Sequence, residues 1–247
     1  MQQFYDSHKT DLGHIDERLR LVVELVLEQH PAALLDAACG RGALLRHLKN
    51  VAPEIATTGS DISTDSVEYV RSNGINAAVA NAEQEFPFAD EQFDCVVFGE
   101  VLEHLVDPDK ALLNISRVLR RGGALVLTTP NMASWFNRLL LLAGVQPIFT
   151  ETSLHVNLGR KHPALGQWKP TQGHLKVFVK DALCEMLRAN GFTVERMLGA
   201  PFVQPSPAAP LDRLFSRIPS LASNFVVLAR NERTLETTYP RLPGWLN

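Results

Sequence analysis

Residues Leu34–Gly42 read LLDAACGRG, an apolar run that passes through Asp36 into a turn carrying Gly40 and Gly42. A helical pattern, Gly42 to Leu48, follows at once, so the stretch predicts a strand–turn–helix unit. The alternation continues downstream. Short apolar runs at Ala32–Leu35, Ile55–Ser60, Ala77–Ala80, Phe93–Phe98 and Ala124–Thr129 predict buried strands, and Thr64–Ser72 and Asp109–Leu119 predict helices between them. Alternation of this length implies a parallel sheet with right-handed crossovers, hence a doubly wound α/β first half.

Upstream, Leu12, Ile15, Leu19, Val22, Val23, Val26 and Leu27 recur at three- and four-residue spacings, which predicts an amphipathic helix over about 12–29 that stops before Pro31. After Pro130 the alternation breaks, and residues 131–172, rich in Gly, Pro and His, read as an inserted cap or lid. Order resumes with a helix at Asp181–Asn190 closed by Gly191, a strand at Phe192–Leu198 and a last strand at Ser223–Ala229. Between those strands stand Pro201, Pro205, Pro207, Pro210 and Pro219, a density that predicts a surface crossover without regular structure. One domain over 1–247 is expected, with an N-terminal helical segment (1–30) and a C-terminal tail (231–247).

Composition narrows the function. The 247 residues, 45% hydrophobic and 21% charged, suffice for one full core. A net charge of -3 supplies no broad positive field, so nucleic acid is disfavoured as a partner. The chain opens without a basic stretch leading into an apolar one, and Leu139–Ala143 falls far short of the roughly 20 apolar residues that cross a bilayer, so neither a secretory signal nor an integral membrane segment is expected. Cys39, Cys95 and Cys184 are odd in number and far apart, which fits neither a disulfide framework nor a metal site. The expected setting is cytoplasmic, and a homo-oligomer is left open.

Asp61 ends the second strand about 20 residues beyond the glycine turn, where a carboxylate can accept both hydroxyls of a ribose. The turn does not suit a phosphate. A dinucleotide loop needs a third glycine where Leu45 stands, and no Lys-Ser or Lys-Thr follows Gly42. Asp36 at the strand end would repel pyrophosphate and orient an ammonium group. S-adenosylmethionine carries both an ammonium and a ribose.

The stretches LLDAACGRG, SDI, ANAEQEFPFADEQFDCVVFGEVLEHL and LRRGGALVLTTPN resemble the successive motifs of class I S-adenosylmethionine-dependent methyltransferases, over about residues 32–130. The resemblance implies a Rossmann-like, mostly parallel seven-stranded sheet with an antiparallel C-terminal strand. It also implies that Asp36, Ala38, Gly40 and Gly42 lie under the cofactor's amino acid and that Asp61 and Ile62 hold its ribose. Asn81, Ala82 and Glu83 would flank the adenine, and Gly99 and Glu100 would lie beside the methyl group. Two positions depart from the family: Ala38 stands where glycine is frequent, and Asn81 where an acid is common, although its amide oxygen can still accept a hydrogen bond.

The segment GEVLEHL is similar to that of ubiquinone-pathway and natural-product O-methyltransferases, which implies a small-molecule acceptor. His104 follows the fourth strand and His174 lies in GHLKVF, positions at which the family borders the acceptor, so both are candidate proton acceptors titrating near an ordinary histidine value of about 6.5. Oxygen is slightly favoured over nitrogen as the acceptor atom. Cys39 reads as a packing residue, His155 and His162 as solvated loop residues, and Phe4 and Tyr5 as a segment that folds over the cofactor or frays. Two rival readings are an NAD-dependent oxidoreductase, disfavoured by Leu45, and a non-catalytic cofactor-binding partner subunit.

Overall fold

The computed structural model describes residues 16–202 and 208–232. Helix α1 (Glu17–Glu28) is capped by Asp16, whose carboxylate accepts the Leu19 amide at 2.7 Å. Then come β1 (Ala33–Ala37), α2 (Ala43–Val51), β2 (Ala56–Asp61), α3 (Thr64–Ser72), β3 (Asn76–Val79) and β4 (Phe93–Gly99). A 3-10 turn, Leu102–His104, leads to α4 (Pro108–Val118) and β5 (Leu119–Pro130). The second half contributes α5 (Trp135–Leu142), α6 (Lys180–Ala189), β6 (Phe192–Ala200), α7 (Ala209–Phe215) and β7 (Asn224–Asn231).

The strands form one seven-stranded sheet in the order β3-β2-β1-β4-β5-β7-β6. All neighbouring pairs from β3 to β5 are parallel, whereas β7 runs antiparallel to both β5 and β6. The expected architecture is therefore the observed one. Successive buried residues face opposite sides, as the strand period of two requires. Leu35, Val96 and Leu125 join the layer containing Leu112 and Ile115 of α4 and Leu183 of α6. Leu34, Val97 and Val126 join the layer containing Val22 of α1, Leu45 of α2 and Val70 of α3. β1, β4 and β5 are thus buried on both faces, which explains why the sequence shows continuous apolar runs there rather than alternation.

β1 is flanked by β2 on one side and β4 on the other, so the chain reverses direction across the sheet between β1 and β4. In open α/β sheets a crevice opens at this place, beyond the carboxyl ends of the strands.

Three expectations need adjustment. The proline-dense segment is not without regular structure: α7 starts with Pro210 in its first turn, where a missing N–H is no loss. Asp212 of this helix is buried and accepts the Trp135 indole N–H at 2.8 Å and the Ser223 hydroxyl at 2.6 Å. β5 begins at Leu119, not Ala124, and carries Gly122 and Gly123 within it. The inserted region contains a helix, α5, beyond the cap expected after Pro130. The start of the predicted first helix, Phe4, Tyr5 and the tail beyond residue 232 lie outside the described residues. Among the described residues no helix is long and apolar enough to cross a membrane.

Candidate active site

The loop after β1 is folded back by two hydrogen bonds, with the amides of Ala38 and Cys39 both donating to the Ser60 carbonyl at 2.8 Å. This requires left-handed backbone, and Gly40 (φ 51°) and Gly42 (φ 70°) provide it. Ala38 adopts φ 112° although it has a side chain, and Glu100, just past β4, adopts φ 55°. Both strained residues border the same crevice. At Gly40 a Cβ would meet nothing within 4 Å, so the loop faces open space there. Gly42 behaves differently. A Cβ on it would come 2.9 Å from Val70 Cγ2, so the residue stands where α2 meets α3 and borders neither compartment described below.

Asp61 is aimed by backbone donors: Oδ2 accepts the Gly40 amide at 2.8 Å and Oδ1 the Ser63 amide at 2.9 Å. It lines a compartment of about 400 Å³ together with Ala38, Gly40, Ile62, Asn81, Ala82, Glu83, Gly99 and Glu100. The far end of this compartment is apolar, walled by Phe86 and Leu105. The loop carrying the third group of expected residues is braced from behind. Asn81 Oδ1 accepts the Glu83 amide at 2.9 Å, Asn114 donates to the Ala82 carbonyl at 2.9 Å, and the Glu83 carboxylate accepts the Asp107 amide at 2.6 Å. The Glu83 side chain thus supports the start of α4.

A second compartment of about 610 Å³ adjoins the first, and Ala38, Gly40, Gly99, Glu100 and His104 border both. Asp36 lies here, 6% exposed. Burial, and then the neighbouring Asp61 charge, push its carboxyl up to about 7. Phe149, Phe202, Gln172 and His174 form the opposite wall. Phe149 and Phe202 meet edge to face, with ring centres 5.5 Å apart.

The structure brings His104 and His174 together, with ring centres 4.9 Å apart. His104 Nδ1 lies 3.1 Å from the Gly173 carbonyl, and His174 Nδ1 lies 3.0 Å from the Phe149 carbonyl. A carbonyl only accepts, so each neutral ring carries its hydrogen on Nδ1 and its lone pair on Nε2. Burial, and then the proximity of His174, push the His104 pKa below the ordinary histidine value. Glu103 is fully buried and accepts the Thr129 hydroxyl at 2.9 Å. Burial, followed by the Glu100 charge, holds its carboxyl well above the usual carboxylate range.

A family model described as a methyltransferase domain matches residues 12–196. The chain belongs to the class I S-adenosylmethionine-dependent methyltransferases. S-adenosylmethionine is accordingly the cofactor. The chain is 34% identical over 107 residues to a demethylmenaquinone methyltransferase of Thermotoga maritima, covering 43% of this chain and 47% of that protein. It is 35% identical over 112 residues to a malonyl-[acyl-carrier protein] O-methyltransferase of Hahella chejuensis, covering 44% and 40%. The matched stretch thus spans less than half of either relative. The fold is shared with Burkholderia thailandensis 1,6-didemethyltoxoflavin-N1-methyltransferase, at TM-score 0.55 and 16% identity over 94% of this chain and 84% of that one.

The residues fit that cofactor. Open space over Gly40, a carboxylate at Asp61, an apolar slot at Phe86 and Leu105, and a buried acid at Asp36 would suit an amino acid backbone, a ribose, a base and an ammonium group. Several lining residues escaped the sequence reading. Arg18 of α1 forms an ion pair with Glu100, whose other oxygen accepts the Thr128 hydroxyl at 2.9 Å. Glu151 accepts the amides of Gln172 (2.6 Å), Gly173 (2.7 Å) and His174 (3.0 Å), and so sets the loop that carries His174. Of the histidines read as solvated, His155 and His162 are both exposed. Cys39 is buried, and burial pushes its thiol upward, in keeping with a packing role.

Proposed function

We propose that this chain transfers the methyl group of S-adenosylmethionine to an oxygen of a small, largely apolar acceptor, and that it does so in the cytoplasm. When bound, the cofactor supplies a methyl group on a sulfonium. The chain's own part is to align the acceptor and exclude water, since an in-line displacement with a neutral leaving group needs little covalent machinery. The first compartment suits the nucleoside, and the second, lined by Phe149 and Phe202, suits an apolar acceptor body.

The observation that carries the choice of oxygen is the pair of imidazoles, each oriented by a backbone carbonyl through Nδ1 so that its lone pair sits on Nε2. A hydroxyl nucleophile benefits from such acceptors, whereas an unprotonated amine needs none. The malonyl-[acyl-carrier protein] O-methyltransferase among the relatives is consistent with this reading. The cytoplasmic assignment draws on the three thiols, which are unpaired. The test is a panel of hydroxylated aromatic and aliphatic acceptors matched with their amine analogues, assayed with methyl-labelled cofactor. Label is expected in ethers or esters. Label confined to the amine analogues would sink the oxygen reading.

A further inference from the structure

Glu103, His104 and His174 each offer one ligand atom, and these atoms all lie within 4.8 Å of one another at the edge of the second compartment. The surroundings fix how they point. Both imidazoles hand Nδ1–H to a backbone carbonyl, the arrangement that orients metal-bound histidines and leaves Nε2 to the ion. Glu103 supplies an independent observation. It is 0% exposed, and while Oε2 accepts the Thr129 hydroxyl, Oε1 has no hydrogen-bond partner among the described residues. A buried carboxylate oxygen without a partner is costly, and such a group calls for an explanation. His104 Nε2 stands 3.9 Å from that oxygen.

We propose that Glu103 Oε1, His104 Nε2 and His174 Nε2 form a site for one divalent transition-metal ion, with its remaining positions open to the acceptor compartment. Two imidazoles and one carboxylate suit ions of the zinc, cobalt, manganese and iron class, whereas magnesium and calcium favour all-oxygen shells. Bonds near 2.1 Å set neighbouring ligand atoms about 3.4 Å apart, so closing this cluster onto an ion requires side-chain adjustments of about an ångström. A cation here also offsets two adjacent acids, Glu103 and the Glu100 that Arg18 pairs. The inference rests on the oxygen-acceptor reading for its use and changes the base in it: with both Nε2 lone pairs committed to the ion, the ion takes over from the imidazoles by holding the acceptor's hydroxyl oxygen beside the cofactor compartment and favouring loss of its proton to solvent.

The experiment is a Co2+ titration of chelator-treated wild-type protein, followed by visible absorption and by proton NMR. One Co2+ per chain is expected, displaceable by Zn2+, with two strongly shifted, solvent-exchangeable signals from the two Nδ1–H groups. His174→Ala and Glu103→Gln should each lower Co2+ affinity by about tenfold or more. Their S-adenosylhomocysteine affinity should match the wild type, which shows that they are folded. Wild-type protein that binds S-adenosylhomocysteine but no Co2+ overturns the metal site and leaves the methyl-transfer reading intact. Co2+ binding without the shifted imidazole signals, or undiminished in both variants, also overturns it. Co2+ bound as described in a protein that does not bind S-adenosylhomocysteine supports the site and overturns the methyl-transfer reading.

Discussion

Asp61 at the tip of β2 accepts the amide hydrogen of Gly40 at 2.8 Å, which ties this acid to the glycine loop after β1. The carboxylate therefore has two duties, to hold the loop and to meet the ligand. Asp61→Ala is expected to weaken S-adenosylmethionine binding by roughly 2–4 kcal/mol, since charge-assisted hydrogen bonds are lost on both sides. Calorimetry on the folded variant checks this, and an unchanged dissociation constant would remove Asp61 from the site.

Asp36 links binding to protons. Its carboxyl titrates at about 7 in the fold, against about 3.9 in an unfolded chain. A raised carboxyl stabilises the folded state fully below the unfolded value, and that contribution disappears as pH rises through about 7. The midpoint of thermal unfolding should fall across this window in the wild type and stay flatter in Asp36→Asn. Because a ligand ammonium favours the charged carboxylate, cofactor affinity should rise with pH up to about 7, with proton release in calorimetry. Equal pH dependence in wild type and variant would show that Asp36 does not titrate there.

Ala38 keeps a side chain at φ 112°, a region that suits glycine. Ala38→Gly should stabilise the protein by about 1 kcal/mol, the balance between relieved strain and the added freedom of glycine in the unfolded chain. A lower unfolding temperature in the variant would mean that the loop carries no strain at this residue.

His104→Ala and His174→Ala should each lower turnover on a hydroxyl acceptor by about a hundredfold while leaving cofactor affinity nearly unchanged. Near-normal turnover in both would mean that alignment alone drives the reaction.

Residues 131–172 supply Phe149 and Gln172 to the wall of the second compartment. Amide hydrogen exchange across this segment should slow when S-adenosylhomocysteine and a hydroxyl acceptor are both present, as expected of a cover over the acceptor. Identical exchange with and without the ligands would rule that role out.

The sheet and the cofactor side were legible because their signals are local. A strand buried on both faces is mostly apolar, as at Leu34–Ala37 with the single acid Asp36, and a turn through left-handed backbone favours glycine, as at Gly40. At Gly42 the motif position alone does not separate ligand contact from packing, and Val70, far along the chain, excludes a side chain there. Arg18, Glu151, Phe149 and Phe202 reach the site only through tertiary contacts, and nothing in their neighbouring sequence distinguishes them from surface or core residues. Glu103 did leave a trace, an acid beside His104 between the apolar residues Val101, Leu102 and Leu105, but its burial and its orphaned oxygen exist only in the folded chain. The proline-dense segment yielded a helix because Pro210 falls in a first turn and Asp212 anchors it to Trp135 and Ser223, partners that composition does not reveal.

The central claim is that the crevice between β1 and β4 is built for S-adenosylmethionine and not for a dinucleotide. Isothermal titration of the wild-type chain with each cofactor tests it most directly. One molecule of S-adenosylmethionine per chain should bind, in competition with S-adenosylhomocysteine, and NAD should give no heat. Binding of NAD, with no heat from S-adenosylmethionine, would contradict the account.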